Sequence, residues 1–235
     1  MTSLDAAATA DVRPATGTPL LGGAVFDAVL FDMDGTLVDS TRSVQRSWVH
    51  WAGEYGVPLE RLQGWHGVPA KQIVATVVAD PALHEAALAR IEQIEVEDAG
   101  SGIVALPGAA AALAALPAGR AAIVTSCTEP LAHARIATSG LAAPAVVVTA
   151  SDVTVGKPDP EPFLLGAHRL GVDPARCLVV EDAPAGLASG RAAGARTLAV
   201  TTTHPAADLD ADVVVGTLAD VVLVAAPDGV RVVAG

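Results

Sequence analysis

The sequence predicts an α/β fold in which a doubly wound parallel-sheet core carries an inserted all-helical cap domain. Three observations lead to this expectation. Short β-branched runs alternate with helical segments over the second half of the chain, and a helical stretch at 41–102 precedes them. Before that stretch, an apolar β-prone run ends in Asp32 and Asp34. Open α/β sheets bind their ligands at this end of their strands.

The alternation of strands and helices predicts a Rossmann-like core. Right-handed crossovers join the strands of such a sequence, so the sheet is parallel and helices cover both of its faces. The last apolar stretch, 221–233, is split by a Pro-Asp-Gly turn and predicts a hairpin. Strands are expected at 24–31, 121–125, 145–149, 177–181, 197–200 and 213–215, and helices between them at 129–139, 161–170 and 185–193.

The inserted segment predicts three helices. Trp48, Trp51 and Tyr55 recur at helical spacing, and Gly56-Val57-Pro58 ends the first helix. Two further helices are expected at 69–79 and 81–98, because a proline stands at the first turn of each. The expected domains are a disordered tail at 1–23, a core formed by 24–40 and 103–235, and a helical cap at 41–102.

Composition and charge narrow the class of protein. The net charge of −12 argues against binding nucleic acid or an anionic membrane by bulk electrostatics. No apolar run approaches the roughly 18 residues that span a bilayer. Cys127 and Cys177 are too few for a disulfide framework, and residues 1–23 lack the pattern of a secretory signal, so a cytoplasmic location is expected. We expect a monomer or weak homo-oligomer whose partner is a small molecule.

Four of the predicted strand ends present polar residues. Asp32 and Asp34 come first, and the later groups are Thr125-Ser126, the Lys157 loop and Glu181-Asp182. Because the carboxyl ends of parallel strands lie along one edge, these groups should converge. Each group taken alone has a simpler interpretation, such as an Asp-Gly turn, a helix cap or a rigid surface turn. Their order on this scaffold favours a functional site.

Such a set of side chains supports phosphoryl transfer. Asp32 would attack phosphorus and form an acyl phosphate, which water then hydrolyses. Asp34 would protonate the leaving oxygen and later deprotonate the attacking water. Lys157 and the hydroxyls of Thr125 and Ser126 would hold the phosphoryl oxygens.

The acidic groups predict a Mg²⁺ cofactor, because an anionic carboxylate is repelled by an anionic phosphate unless a cation lies between them. Asp32, the backbone carbonyl of Asp34 and Asp182 are plausible oxygen ligands. Glu181 would reach the metal directly or through water.

These motifs resemble those of the haloacid dehalogenase superfamily, in the branch with a helical cap after the first strand. The matching segments are Asp32-x-Asp34-Gly35-Thr36, Val124-Thr125-Ser126, Gly156-Lys157-Pro158 and Glu181-Asp182-Ala183-Pro184-Ala185-Gly186. Within it, the sequence is most similar to bacterial sugar-phosphate and hexitol-phosphate phosphatases. The resemblance implies Mg²⁺ dependence, with Asp32 as nucleophile, Asp34 as acid/base and Asp182 as metal ligand.

The resemblance also places the cap loop Trp65-His66-Gly67 over the active site. His66, Gly67 and, more weakly, Lys71 are therefore candidate substrate contacts, whereas Trp48 and Trp51 are expected to pack the core of the cap. The expected substrate is a small phosphorylated sugar or polyol, and the sequence does not choose among hexose, hexitol, pentose and glycerol phosphates.

Other activities remain as alternatives. A phosphomutase of the β-phosphoglucomutase type shares all four motifs, but such enzymes carry a cap histidine twelve residues after the nucleophile, where this chain has Val44. A haloacid dehalogenase would need neither a metal nor the second aspartate. A non-catalytic sensor of a phosphorylated ligand would be expected to lose Asp32 or Asp34.

Overall fold

The structure, a computed structural model, describes residues 15–63 and 70–235. The strands are β1 (Ala28–Phe31), β2 (Val38–Asp39), β3 (Val104–Ala105), β4 (Ala121–Val124), β5 (Val146–Val148), β6 (Cys177–Glu181), β7 (Arg196–Val200), β8 (Val213–Val215), β9 (Val221–Ala226) and β10 (Gly229–Ala234). The α-helices are α1 (Thr41–Tyr55), α2 (Ala70–Val77), α3 (His84–Asp98), α4 (Ala109–Ala114), α5 (Glu129–Ser139), α6 (Glu161–Leu170) and α7 (Pro184–Ala192).

Six strands form one parallel sheet in the order β5-β4-β1-β6-β7-β8. This arrangement confirms the α/β fold class. The strand β1 lies at the centre, with Phe31 opposite Ile123 of β4 and Val180 of β6. The carboxyl ends of β4, β1 and β6 therefore lie side by side, and the residues that follow them meet at one edge of the sheet.

Burial on both faces explains why β1 is apolar throughout. Its four residues are all buried. Val29 and Phe31 pack on the face that includes Leu131 of α5. Ala28 and Leu30 pack on the opposite face with Phe163 of α6. Consecutive side chains of a strand point to opposite faces, so a strand covered on both sides has no polar positions.

The three helices α1, α2 and α3 enclose a hydrophobic cluster of their own. Trp51 is fully buried in it among Ile73, Val77 and Ile91. Its indole Nε1–H donates a 2.8 Å hydrogen bond to the carbonyl of Ala87. The short antiparallel ladder of β2 and β3 holds the two chain crossings to these helices side by side.

The N-terminal segment differs from the expected disordered tail where it is described. Residues 15–23 run along β10: the N–H of Gly17 donates to the carbonyl of Ala234 at 2.8 Å, and that of Leu20 to Val232 at 2.9 Å. Leu21 is buried in the core. Disorder therefore does not extend over 15–23, because this segment buries apolar surface and pairs its backbone. Residues 1–14 lie outside the described part of the chain.

Other differences are small. The first strand begins at Ala28 rather than near 24, because Phe26 pairs with Val230 instead of with the main sheet. The hairpin of β9 and β10 is present where the Pro-Asp-Gly turn indicated. The helix α4 was not anticipated. Among the described helices, none is both long and apolar enough to cross a bilayer.

Candidate active site

Lys157 lies at the centre of the cluster at the carboxyl edge of the sheet. Its ammonium donates to Asp32 Oδ1 at 2.6 Å, to Glu181 Oε1 at 2.8 Å and to the carbonyl of Val124 at 2.9 Å. It also lies 5.0 Å from the centre of the Phe163 ring. The side chain of Lys157 is only 6% exposed, so its charge is compensated by these carboxylates rather than by water.

The three carboxylates of Asp32, Glu181 and Asp182 lie close together and are all buried. Oxygen atoms from each of them fall within 4.8 Å of one another. Glu181 Oε2 accepts hydrogen bonds from the backbone N–H groups of Asp182 at 2.9 Å and Ala183 at 3.0 Å. The cluster therefore holds three acidic groups and the single ammonium of Lys157.

The pKa values of this cluster reflect the burial of three acidic groups beside only one ammonium. Burial raises the pKa of Asp32 above its ordinary value, although the charge of Lys157 opposes this shift. Burial, followed by the charges of Asp32 and Glu181, raises the pKa of Asp182. Both shifts mean that the ionised carboxylates are unfavourable without a further cation. Buried oxygen donors of this kind suit a hard divalent cation such as Mg²⁺, so the residues present fit the expected metal.

Two residues after β7 complete the surroundings of Asp182, and the sequence analysis missed them. The hydroxyl of Thr203 donates a short hydrogen bond to Asp182 Oδ2. The imidazole Nδ1 of His204 lies 3.2 Å from the carbonyl oxygen of Asp182. The signal that could have found them is the rule used for the other motifs, since these polar residues follow a predicted strand that neighbours β6.

Gly35 allows the first motif to approach Asp182. Its φ is +84°, and a Cβ atom at this position would lie 2.1 Å from Asp182 Oδ2. A side chain would therefore be strained and would displace the carboxylate. The Gly in this motif is required by the close contact between the loop after β1 and the loop after β6.

Thr125 and Ser126 both border the site but differ in exposure. Thr125 is buried, and its hydroxyl accepts a 3.1 Å hydrogen bond from the N–H of Cys127 in the turn after β4. It does not cap the next helix, whose N-cap position is Thr128. Ser126 is exposed and lines the cavity above the carboxylates. The helix that follows, α5, begins at Glu129.

Asp34 stands apart from the three-carboxylate cluster. Its Oδ1 lies 2.8 Å from Nη1 of Arg135, and its Oδ2 accepts a 3.0 Å hydrogen bond from the thiol of Cys127. Its side chain is not part of the group of carboxylates that could hold a metal, and the metal role expected of its backbone carbonyl stays a prediction. Arg135 was missed; the signal for it is a basic residue on the face of α5 that also carries Leu131 and Ala132.

A cavity of about 350 Å³ lies between the core and the cap and opens onto these groups. Its lining includes Asp32, Asp34, Lys157, Glu181 and Asp182 from the core. The cap side of the cavity is formed by Thr41, Val44, Gln45, Trp48, Ala70, Ile73, Glu92 and Glu95. The site is therefore a partly enclosed chamber with an acidic floor.

The residues of the cap that were predicted to contact substrate differ in where the structure places them. His66 and Gly67 lie outside the described residues, as does Trp65. Lys71 is exposed and does not belong to the described lining of the cavity. Trp51 packs inside the cap as expected, while Trp48 contacts its ring edge-on and also reaches the cavity.

Comparisons with known proteins agree with this geometry. The model of the haloacid dehalogenase-like hydrolases matches residues 26–194. Hexitol phosphatase A of Escherichia coli (strain K12) is 44% identical over 206 residues, which are 85% of this chain and 95% of that protein. Glycerol-1-phosphate phosphohydrolase 2 of Saccharomyces cerevisiae is 35% identical over 199 residues, which are 78% of this chain and 77% of that protein.

A solved structure of the same family is similar to this chain in both sequence and fold. The crystal structure of a haloacid dehalogenase family hydrolase from Deinococcus radiodurans R1, which holds phosphate and sodium, has a TM-score of 0.62 and 32% identity to this chain. The match covers 83% of this chain and 93% of that one. With its sheet order, its convergent acidic cluster and these similarities, the chain belongs to the haloacid dehalogenase-like hydrolases.

Proposed function

We propose that this phosphoric monoester hydrolase is a cytosolic, Mg²⁺-dependent phosphatase that acts on small sugar or polyol phosphates through a phosphorylated Asp32. The observation that carries the proposal is the convergence of Asp32, Lys157, Glu181 and Asp182 on one buried point at the edge of the sheet. The two cysteines of the described chain are free and buried, which suits a reducing compartment.

The first step forms a bond between a carboxylate oxygen of Asp32 and phosphorus, and it breaks the bond from phosphorus to the leaving oxygen. Asp34 gives its proton to that oxygen. Water then attacks the phosphorus of the acyl phosphate, Asp34 takes a proton from the water, and the carboxylate of Asp32 is restored. The hydrogen bond from Lys157 holds Asp32 in one orientation throughout.

Asp32, Asp182 and the backbone carbonyl of Asp34 would hold Mg²⁺, with Glu181 binding it directly or through water. When bound, the metal supplies the positive charge that lets one anion approach another. Lys157 adds a second, fixed positive charge beside Asp32, and Ser126 offers a hydroxyl to a phosphoryl oxygen from the cavity wall.

The cavity supports a neutral, hydroxyl-rich leaving group. Gln45, Trp48 and Glu92 of the cap face this space and can hydrogen-bond or pack against a sugar or polyol. Among the described lining residues the lysine and arginine are Lys157 and Arg135, and both are already paired with carboxylates. A second anionic group on the substrate would therefore meet uncompensated acids. The relatives named for hexitol and glycerol 1-phosphate chemistry support the same class.

Hydrolysis is favoured over return of the phosphoryl group to a sugar. Val44 lies in the cavity wall, at the position where the mutases of this family carry an imidazole. An apolar side chain there can neither donate nor accept a proton for a sugar hydroxyl. Water is then the acceptor that Asp34 can activate.

The substitution Asp32→Asn tests the nucleophile. It removes the attacking carboxylate while keeping shape, so phosphate release at saturating Mg²⁺ should fall by more than about 10³-fold, as for other nucleophiles. Asp173→Asn is the matched control: Asp173 caps a distant turn through the N–H of Ala175, a role that asparagine also fills, so its activity should stay at the wild-type level. Wild-type turnover by Asp32→Asn would show that the nucleophile is wrongly assigned.

Two further measurements test the metal and the substrate class. EDTA should abolish phosphate release, and added Mg²⁺ should restore it. In a screen ranked by kcat/KM, hexitol, hexose and glycerol monophosphates should exceed sugar bisphosphates and phosphoglycolate. A preference for the doubly anionic substrates would contradict the electrostatic argument.

A further inference from the structure

Arg135 is a buried cation that the proposed chemistry has not used. Its side chain is 5% exposed, and it lies on the inner face of α5. Burying a guanidinium is costly unless carboxylates compensate it. Although burial by itself disfavours the charged form, the carboxylates of Asp34 and Glu95 raise the pKa of Arg135 above its usual value. Arg135 is therefore a permanent positive charge at this position.

The partners of Arg135 come from both parts of the molecule. Its Nη1 lies 2.8 Å from Oδ1 of Asp34, in the loop after β1, and donates to Sγ of Cys127 at 3.0 Å. Its Nη2 donates to Oε1 of Glu95 at 3.4 Å. Glu95 belongs to α3 of the cap, so one rigid guanidinium contacts the cap with one nitrogen and the acid/base residue with the other.

Glu95 depends on this contact. Its side chain is 12% exposed, and burial raises its pKa to about 7, against the opposing charge of Arg135. Arg135 is the cation of the described chain that pairs with it. Because the guanidinium is planar, the position of Nη2 beside Glu95 fixes where Nη1 lies beside Asp34.

We propose that Arg135 is a positioning residue that orients the carboxylate of Asp34 for proton transfer and is itself held in place by Glu95 of the cap. Contact of the cap with the core thus places the general acid at the same time as it covers the substrate. The inference rests on the proposed role of Asp34 and adds the residue through which the cap acts on it.

A comparison of two leaving groups distinguishes this positioning role from a merely structural one. A sugar or polyol departs as a strongly basic alkoxide and needs a proton from Asp34, whereas nitrophenolate departs as a stable anion without one. The ratio of kcat/KM for the two substrates reports only steps up to departure of the leaving group, so the later attack of water does not enter. Sorbitol 6-phosphate and p-nitrophenyl phosphate are the two probes.

Arg135→Met should lower kcat/KM for sorbitol 6-phosphate by about 10²-fold, the loss expected for a catalytic group displaced by about 1 Å. For p-nitrophenyl phosphate the value should stay within about threefold of the wild type. Arg135→Lys keeps the charge without the two-pronged geometry and should recover only part of the loss. Glu95→Gln, which keeps the shape of the side chain, should also lower kcat/KM selectively for sorbitol 6-phosphate, but by a smaller factor. This variant provides the test if Arg135→Met does not fold.

The control is Arg90→Met. Arg90 is a paired arginine of α3 that contacts Glu54 on the outside of the cap, and both substrates should react as with the wild type. The variant Asp34→Asn distinguishes the inference about Arg135 from the proposed acid/base role of Asp34. If it loses activity selectively on sorbitol 6-phosphate while Arg135→Met and Glu95→Gln lower both substrates equally, the inference about Arg135 is overturned and the proposed function stands. If Asp34→Asn shows no selectivity, the acid/base assignment itself fails.

Discussion

Gly186 offers the sharpest structural perturbation of the site. It lies near the start of α7, directly beneath the carboxylate of Glu181. A Cβ atom added at this position would lie 1.6 Å from Oε1 and 1.9 Å from Cδ of Glu181, where ordinary contacts need 3.4–4 Å. The change Gly186→Ala must therefore move the carboxylate by roughly 2 Å, because there is no open space for a methyl group between the backbone of α7 and the buried side chain of Glu181.

The hydrogen bonds of Glu181 set the size of the effect. At a displacement of 2 Å it would lose its 2.8 Å bond from Lys157 Nζ, which is made by the same Oε1 atom that the added Cβ would contact. Overpacking costs about 1–3 kcal/mol, and one charge-assisted hydrogen bond is worth about 1.5–3 kcal/mol. We expect a loss of about 3–5 kcal/mol in the free energy of unfolding, which lowers the Tm of a chain of this size by about 10 °C.

Activity should fall as well, because Lys157 loses one of the two carboxylates that hold it. A shift of about 1 Å in a catalytic group lowers turnover by about 10²-fold. Thermal unfolding and phosphate release at saturating Mg²⁺ measure the two effects. Gly53→Ala is the matched control, since no heavy atom lies within 4 Å of a Cβ at that helical position, and it should raise stability by about 0.5–1 kcal/mol. A Gly186→Ala variant with wild-type Tm and kcat/KM would refute the reasoning.

Two other predictions concern the metal and the cap. Burial raises the pKa of Asp32 and Asp182. Above about pH 4 the folded state therefore holds protons that the unfolded state has released. The free energy of unfolding that these two groups contribute is lost as the pH rises toward their pKa values in the folded state. Because protons compete with the metal for these carboxylates at low pH, Mg²⁺ at one fixed concentration, 100 times its Kd at pH 8, should stabilise the fold by about 2.7 kcal/mol at pH 8 and by less at pH 5. An increase in Tm over an EDTA sample that is independent of pH would contradict this. Trp51→Phe removes the indole N–H donor to Ala87 and should lower the free energy of unfolding by about 1–3 kcal/mol in denaturant titrations, and an unchanged value would show that this buried bond contributes nothing.

The pattern of apolar residues made the core predictable. Strands such as Cys177–Glu181 and helices such as Glu129–Ser139 have the expected bounds, because local periodicity and flanking turns determine them. The first strand was placed too early, since pairing of Phe26 with Val230 is a contact between distant segments. The described N-terminal residues were misjudged for the same reason: their partners lie at the other end of the chain.

The same distinction holds for the site. The parallel-sheet rule predicted that the polar residues after β1, β4, β5 and β6 would meet, and the structure brings Asp32, Lys157, Glu181 and Asp182 together. That rule concerns strand ends and is silent on helix side chains. Arg135 was therefore missed, since its partners Asp34 and Glu95 come from the loop after β1 and from the helix α3.

The sequence by itself determined the α/β core, the inserted helical cap and the acidic motifs, because hydrophobic spacing and the ends of strands are local properties of the chain. Only the tertiary structure decided which charges compensate one another. Lys157 is bound between Asp32 and Glu181, while Arg135 is bound between Asp34 and Glu95. The physical reason is that the energy of a buried charge depends on its distance from every other charge, and such distances are defined only after the chain has folded.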